Sequence, residues 1–388
     1  MASDRAGLAG EYAHILFKQT WDGDVAHYEL GQCEALIKAI SNTPLLPAYH
    51  KELMRISLKK GAQATTAIEG NTLTDEEVER VSSGENLPRS KEYQQREIEN
   101  ILEALNELLL EVLTEKVEKI STPLLLRFHQ MIGKGLGEHF DAIPGQFRRD
   151  ARIVGPYRTP KPEDVPELVN RLCDFMHRQF HYERGQSFGA GIVQAIVAHV
   201  YIEWIHPFGD GNGRTGRLVE FYLLLRAGNP DIASHILSNF YNETRNEYYR
   251  QLHRANKNRN LTEFIRYAVT GLRDGLMKTL ETVQKNQFEI TWLKHIYDLF
   301  GERSITKTSV FKRQRKLALE FPMRGAHSFE EISSLNAYII RTYATLSDRT
   351  LHRDLQLLEE MGILVRNGNK WHANASVLLT QTALRLAR

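Results

Sequence analysis

Phe188-Gly-Ala-Gly-Ile-Val-Gln-Ala-Ile-Val-Ala-His-Val-Tyr-Ile-Glu-Trp-Ile205 runs without a break into His206-Pro-Phe-Gly-Asp-Gly-Asn-Gly-Arg-Thr-Gly-Arg217. The first stretch carries no proline, includes Ala190, Ala195 and Ala198, and is too long for an ordinary strand, so it reads as a buried helix. The twelve residues after it hold a histidine, a carboxylate, two arginines and four glycines. Gly211-Asn212-Gly213 can turn successive backbone N–H groups inward as an anion nest. A helix starting near Arg214 points its positive end at the same place, and phosphate is the natural ligand.

Each polar side chain of this segment suits chemistry on a phosphate. Asp210 is its only carboxylate and can hold Mg²⁺ against substrate oxygens, because magnesium favours one or two carboxylates plus phosphate. Arg214 and Arg217, three apart on a first helical turn, are expected to project on one side and fork onto successive phosphates. His206 has an intrinsic pKa suited to taking a proton from an attacking hydroxyl. Gly211-Asn-Gly213-Arg-Thr215-Gly216 also matches the dinucleotide fingerprint in form, but that motif must follow a strand within a βαβ unit, and here a helix precedes it.

Working outward, the 388-residue chain has room for two or three domains and an unstapled core. With 42% hydrophobic and 25% charged residues it is neither disordered nor fibrous. A net charge of +2 is too balanced for a chain coated in nucleic acid. Residues 301–388 carry about +6 and residues 1–300 about −4, so the tail is the basic part. Two cysteines, Cys33 and Cys173, build no disulfide framework and suit a reducing compartment. The chain shows neither a leader pattern nor an uninterrupted apolar run of membrane-spanning length, and is expected in the cytoplasm, away from membranes.

Helices are expected around residues 30–40 and over 51–67, the latter stopping at Glu69-Gly70-Asn71. Others follow Thr74-Asp75, span 91–113 as an amphipathic six-turn helix, and start at Ser121-Thr122-Pro123. Residues 1–50, with Pro44 and Pro47, otherwise read as an irregular arm. Pro144, Pro156, Pro160, Pro162 and Pro166 exclude helix over 141–166, and residues 146–154 before Gly155-Pro156 read as a short hairpin or exposed strand. Helix resumes over about 163–182, 187–205, 214–227 and from 243. Beyond about 286, a hydroxyl-capped helix from Ser347 leads to strand-like 363–365, an Asn367-Gly368-Asn369 turn and Trp371, the pattern of a winged helix.

The segment from His206 to Arg217 matches every specified position of HPFxDGNGRxGR, and on that motif the chain resembles the Fic-domain family. An upstream hairpin and Tyr248-Tyr249-Arg-Gln-Leu252 downstream agree with it. The resemblance implies a mainly α fold: a Fic-type helical bundle with a short β-hairpin flap, plus the C-terminal winged helix. It divides the chain into an N-terminal helical region (1–115), a catalytic core (116–285) and the winged-helix domain (286–388).

The activity implied is transfer of AMP from Mg-ATP to a Ser, Thr or Tyr hydroxyl of a target protein, including the chain itself. By the same resemblance His206 is the general base, Asp210 the magnesium ligand, and Gly211, Asn212 and Gly213 the anion hole, with Thr215 and Gly216 in the nucleotide-binding stretch. Arg214 is expected on the α/β region and Arg217 on the γ-phosphate. Tyr249 and Asn256 would line the adenine pocket. Val154 on the flap would clamp nucleotide and pair with an extended target segment by strand addition. A homodimer is compatible with the family.

Thr65-Thr-Ala-Ile-Glu69-Gly70 matches the family's inhibitory pattern [ST]xxxE[GN]. A Glu69 carboxylate paired bidentately with Arg217 would occupy the group that the γ-phosphate needs. Some relatives use the equivalent glutamate to remove AMP. His199 reads as a packed core histidine, and Lys312-Arg313-Gln-Arg315-Lys316 as solvent-facing. Arg349, His352 and Arg353 could face a DNA groove, a reading the modest charge of the tail does not favour. Two further readings are a different nucleotide donor, and a DNA-binding regulator whose core only senses nucleotide.

Overall fold

The computed structural model of the chain describes residues 12–116, 118–181, 188–303 and 308–379. Contacts divide it into a unit ending at Val283 and a second beginning at Gln284. The expected helix end at 182 and helix start at 187 lie outside the described residues.

The first unit is helical: α1 (His27–Asn42), α2 (Pro47–Ala67), α3 (Asp75–Ser82), α4 (Glu92–Leu113), α5 (Thr122–Gly133), α6 (Val165–Gln179), α7 (Phe188–Ile205), α8 (Asn212–Ala227), α9 (Ile236–Glu243), α10 (Arg245–Asn258) and the start of α11 (Thr262–Arg303). α7 is the central post. Fifteen of its 18 residues are buried, apolar all round, which is why it has no amphipathic face to read. By length and hydropathy α7 could cross a membrane, but it is enclosed by protein, with α1, α6 and above all α8 packed on it.

Local chemistry sets the helix ends. Pro47 opens α2 instead of extending an irregular arm, because proline at the first helical position removes a donor that has no partner there anyway. Thr74 and Glu77 form a reciprocal capping box on α3. Ser121 caps α5 through Leu124 N–H at 3.3 Å. The first residues of the described chain belong to the core rather than to a loose arm. Ile15, Phe17 and Val25 are buried, and Phe17 N–H donates to the Tyr201 hydroxyl on α7 at 3.2 Å.

The expected strand over 146–154 is shorter and later. Only β1 (Ile153–Val154) and β2 (Tyr157–Arg158) pair, antiparallel, with Val154 opposite Tyr157. Residues before β1 are drawn onto the loop after α7, where Arg148 N–H donates to Pro207 O at 3.0 Å. The far strand is tied to the end of α7 by the Tyr157 hydroxyl, which donates to Trp204 O at 2.5 Å.

The second unit holds the end of α11, then α12 (Ser309–Glu320), β3 (His327–Ser328), α13 (Phe329–Ser333), α14 (Ala337–Tyr343), α15 (Asp348–Glu360), β4 (Leu364–Asn367) and β5 (Lys370–Ala373). Its strands order β3-β5-β4, over a core including Trp292, Ile296, Phe300, Leu317, Leu355 and Trp371. Arg313 does not face solvent as the sequence suggested. Its Nε donates to buried Asp354 of α15 at 2.7 Å, and Gln314 and Tyr343 complete that carboxylate's shell. His352 stacks on Phe329 at 4.0 Å between ring centroids.

Gly271 of α11 lies where a Cβ would overlap the Phe240 ring of α9, so glycine is kept despite its poor helix propensity. Gly271→Ala is expected to cost about 1–3 kcal/mol by overpacking, read as a lower urea midpoint with unchanged circular dichroism. Glu220 of α8, 1% exposed, accepts from the Tyr241 hydroxyl at 2.9 Å, and burial pushes its carboxyl up to about 8. Folding therefore retains a proton that the unfolded chain releases above about pH 4.5. That contribution is complete below this pH and is lost as pH rises to about 8. The stability of Glu220→Gln relative to the parent is expected to grow from pH 5 to 8, by up to about 1.4 kcal/mol per pH unit. A pH-independent difference in unfolding free energy would contradict this.

Candidate functional site

His206 continues the backbone of α7, its N–H donating to Ile202 O at 2.9 Å, but adopts φ of +49°, a left-handed conformation that turns the chain sharply out of the helix. The following loop is braced from inside. Phe208 is fully buried and stacks on His129 of α5 at 3.8 Å between centroids. His129 Nδ1 accepts from Gly145 N–H at 3.0 Å, so Nε2 carries the proton and donates to Asp210 O at 3.0 Å. Asn212 closes the loop with both ends of its amide, accepting from Phe208 N–H at 2.8 Å and donating to Phe208 O at 2.9 Å. Gly211, at φ of +77°, then turns the chain into α8.

That helix starts at Asn212, two residues before the expected position, which places Gly213, Arg214, Thr215 and Gly216 within its opening turns. The left-handed Gly211 followed by helical residues is the nest geometry, although the Asn212 side chain braces the loop instead of facing a ligand. Thr215 is buried, and its hydroxyl donates to Gly211 O at 2.8 Å. Gly216 packs beneath His199, whose Nε2 meets the Tyr248 hydroxyl at 2.9 Å, a core contact as expected.

The two arginines do not stand free on one side; each is gripped by a carboxylate from the N-terminal region, Glu69 just after α2 and Glu97 on α4. Arg217, its side chain 1% exposed, donates from Nη2 to Glu69 Oε1 at 2.5 Å and to Thr65 O at 2.9 Å, and from Nε to the Thr65 hydroxyl at 2.7 Å. The pair with Glu69 therefore rests on one carboxylate oxygen rather than a bidentate fork, with Thr65 accepting from Nε and Nη2. Burial alone would raise the Glu69 carboxyl, but the charge and hydrogen bond of Arg217 hold it below its usual range. A Cβ at Gly213 would overlap Glu69 Oε1, so this carboxylate lies against the first turn of α8. An anion already sits where the nest and helix dipole favour one.

Arg214 is bonded to Glu97 of α4 and donates to Asp210 Oδ1 at 2.8 Å. Asn71, two residues after Glu69, donates to Glu97 Oε2 at 3.1 Å and so links the stretches that hold the two arginines. Asp210 Oδ1 also accepts from Gly211 N–H at 2.5 Å, leaving Oδ2 outside these bonds. A single carboxylate with Oδ2 outside these bonds fits a magnesium ion held mainly by phosphate oxygens and water.

Burial first, and then the charge of Arg148, push the His206 imidazole down to about 4, which leaves it neutral and able to accept a proton near pH 7. Glu203, one turn earlier on α7, is pushed up to about 7 by burial and by Glu69. Tyr249 on α10 is half exposed and donates to Ile68 O at 3.2 Å, and Arg245 bonds the same carbonyl, so this helix anchors the chain next to Glu69. Asn256 lies seven residues further along α10 and is partly exposed. Val154 is 43% exposed at the flap edge. Gly70 turns the chain after α2 at φ of +103°.

Sequence reasoning missed Glu97, Asn71, His129, Arg148 and Glu203. Glu97 carried one usable signal, an acid within the amphipathic stretch of α4 on the side that the apolar residues mark as buried.

Residues 119–224 match the Fic/DOC family. The chain is 28% identical over 264 residues to protein adenylyltransferase fic-1 of Caenorhabditis elegans, covering 62% of this chain and 49% of that one. It is 34% identical over 170 residues to protein adenylyltransferase Fic of Drosophila willistoni, covering 44% and 30%. The chain thus spans about half the length, or less, of the curated relatives it matches. In fold it is similar to a Fic family protein from Desulfovibrio desulfuricans G20, with a TM-score of 0.56, 20% identity and coverage of 92% of this chain and 98% of that one. Fic-1 of C. elegans aligns with a TM-score of 0.53, 23% identity and coverage of 67% and 74%. The loop from His206 to Arg217 lies within residues 119–224, the segment that matches the Fic/DOC family.

Proposed function

We propose that this chain is a protein adenylyltransferase that transfers AMP from ATP to a Ser, Thr or Tyr hydroxyl, and that Glu69 holds it inactive. One observation carries the reading: a carboxylate lies at the N-terminus of α8 on Arg217, where a phosphate would gain the same dipole and guanidinium. The names of its relatives support the reaction class.

In the proposed reaction the acceptor oxygen attacks the α-phosphorus and forms a P–O bond. The bond from that phosphorus to the bridging oxygen breaks, and pyrophosphate leaves with the electron pair. His206, neutral because it is buried beside Arg148, takes the hydroxyl proton and returns it to solvent. Asp210 would hold Mg²⁺, which supplies charge neutralisation on the phosphates. The first-turn amides of α8 and Arg217 orient the triphosphate once Glu69 withdraws. The exposed flap edge at Ile153 and Val154 presents unpaired backbone to an extended target segment. The second unit, with its helix–strand–helices–hairpin order, fits a winged helix.

The test is incorporation of label from α-labelled ATP into protein. Glu69→Gly is expected to raise it severalfold or more over the parent. Adding His206→Ala, or chelating magnesium, should return it to background. A folded Glu69→Gly chain that gains nothing would overturn the inhibitory role. Label from GTP or UTP but not ATP would reassign the donor, and sequence-dependent DNA retention without any transfer would favour a regulator.

A further inference from the structure

Arg148, just upstream of the flap, is 5% exposed, and all its hydrogen bonds go to backbone carbonyls. Nε donates to His206 O at 2.7 Å, Nη1 to Asp150 O at 2.7 Å and Nη2 to Pro160 O at 2.5 Å. Its own N–H donates to Pro207 O at 3.0 Å. Asp150 precedes β1 and Pro160 follows β2, so one guanidinium spans both feet of the flap and the carbonyl of His206. No carboxylate among the described residues pairs with it. The Asp150 carboxylate, paired with Arg152, acts on it only through space; a buried guanidinium with no carboxylate bonded to it is costly, and an apolar side chain would fill the volume without that penalty.

We propose that Arg148 is a positioning residue that fastens the flap to His206 and holds that histidine in its left-handed conformation. The inference rests on the adenylyl-transfer reading for what His206 does, but not for how Arg148 holds it. A planar fork bonding three carbonyls fixes their relative positions, as the flexible ammonium of lysine does not. The His206 backbone at φ of +49° is strained for a non-glycine residue and persists only where its surroundings impose it. Two bonds impose it here, one at His206 O and one at Pro207 O.

The groups acting on the imidazole come from three directions. Arg148 and Arg152 from the flap segment disfavour its protonation, while Glu69 after α2 and the Glu203 carbonyl of α7 favour it. When Glu69 withdraws, the balance moves further toward the neutral base, with Arg148 the nearest cause after burial. Arg152 is paired with Asp141 at 2.5 Å and Asp150 at 2.9 Å, which spends most of its charge locally.

The test compares Arg148→Met and Arg148→Lys in the full chain. The His206 imidazole is followed by NMR in histidine-labelled protein and assigned by its loss in His206→Gln. In Arg148→Met its titration midpoint is expected to rise by at least one pH unit, and amide exchange over residues 153–158 to quicken at least tenfold. Arg148→Lys should keep the low midpoint while the flap amides still exchange faster. In the Glu69→Gly background, Arg148→Met should lower AMP transfer at least tenfold and move the acid limb of the rate profile to higher pH. A folded Arg148→Met chain with unchanged midpoint and flap exchange overturns the proposal. If that variant does not fold, unchanged flap exchange in Arg148→Lys overturns it. If Glu69→Gly alone transfers no AMP, the reaction assignment fails, while the imidazole and exchange measurements still decide the role of Arg148.

Discussion

Arg217 cannot stand alone. Its guanidinium is at the heart of the first unit with 1% of the side chain exposed, and a charge so placed needs an anion beside it. In this structure Glu69 is that anion, with the Thr65 hydroxyl and carbonyl completing the shell. In the proposed mechanism a phosphate would take the same place, so that it competes with the Glu69 carboxylate and occupancy by one excludes the other. The inactive state in the proposed mechanism follows from burying a cation whose counter-ion is exchangeable.

The same rule shapes the neighbouring contacts. Arg214 is held between Glu97 and Asp210, and Asn71 links Glu97 to the chain just beyond Glu69. Tyr249 and Arg245 hold the Ile68 carbonyl from the other side. The segment carrying Glu69 is therefore tied to α4, α10 and both arginines of the loop. On the flap side, Arg148 joins the turn at His206 to the hairpin. The site is assembled where four separate stretches of chain meet at the N-terminus of α8.

Much of this was legible in the order of residues. The apolar run before His206, the glycines and arginines after it, the Thr74 and Ser121 caps and the break at Gly70 follow from nearest-neighbour chemistry, and the helices appear where those signals put them. The sequence signal for the hairpin falls in the right proline-rich segment but several residues early, because Arg148 binds its stretch of chain to the loop after α7. Arg313 read as a solvated charge because its partner, Asp354, is 41 residues away.

Periodicity, capping and turn chemistry act over a few residues, so the amino-acid order by itself determined the helical class, the anion-seeking loop and a candidate inhibitory acid. Only the tertiary structure decided that Glu69 shares Arg217 with Thr65, that Glu97 grips Arg214, and that an arginine bonded only to carbonyls joins the flap to His206. Those pairings join residues 58 to 152 positions apart, and burial selects among such partners by closing water out, a condition no local pattern records.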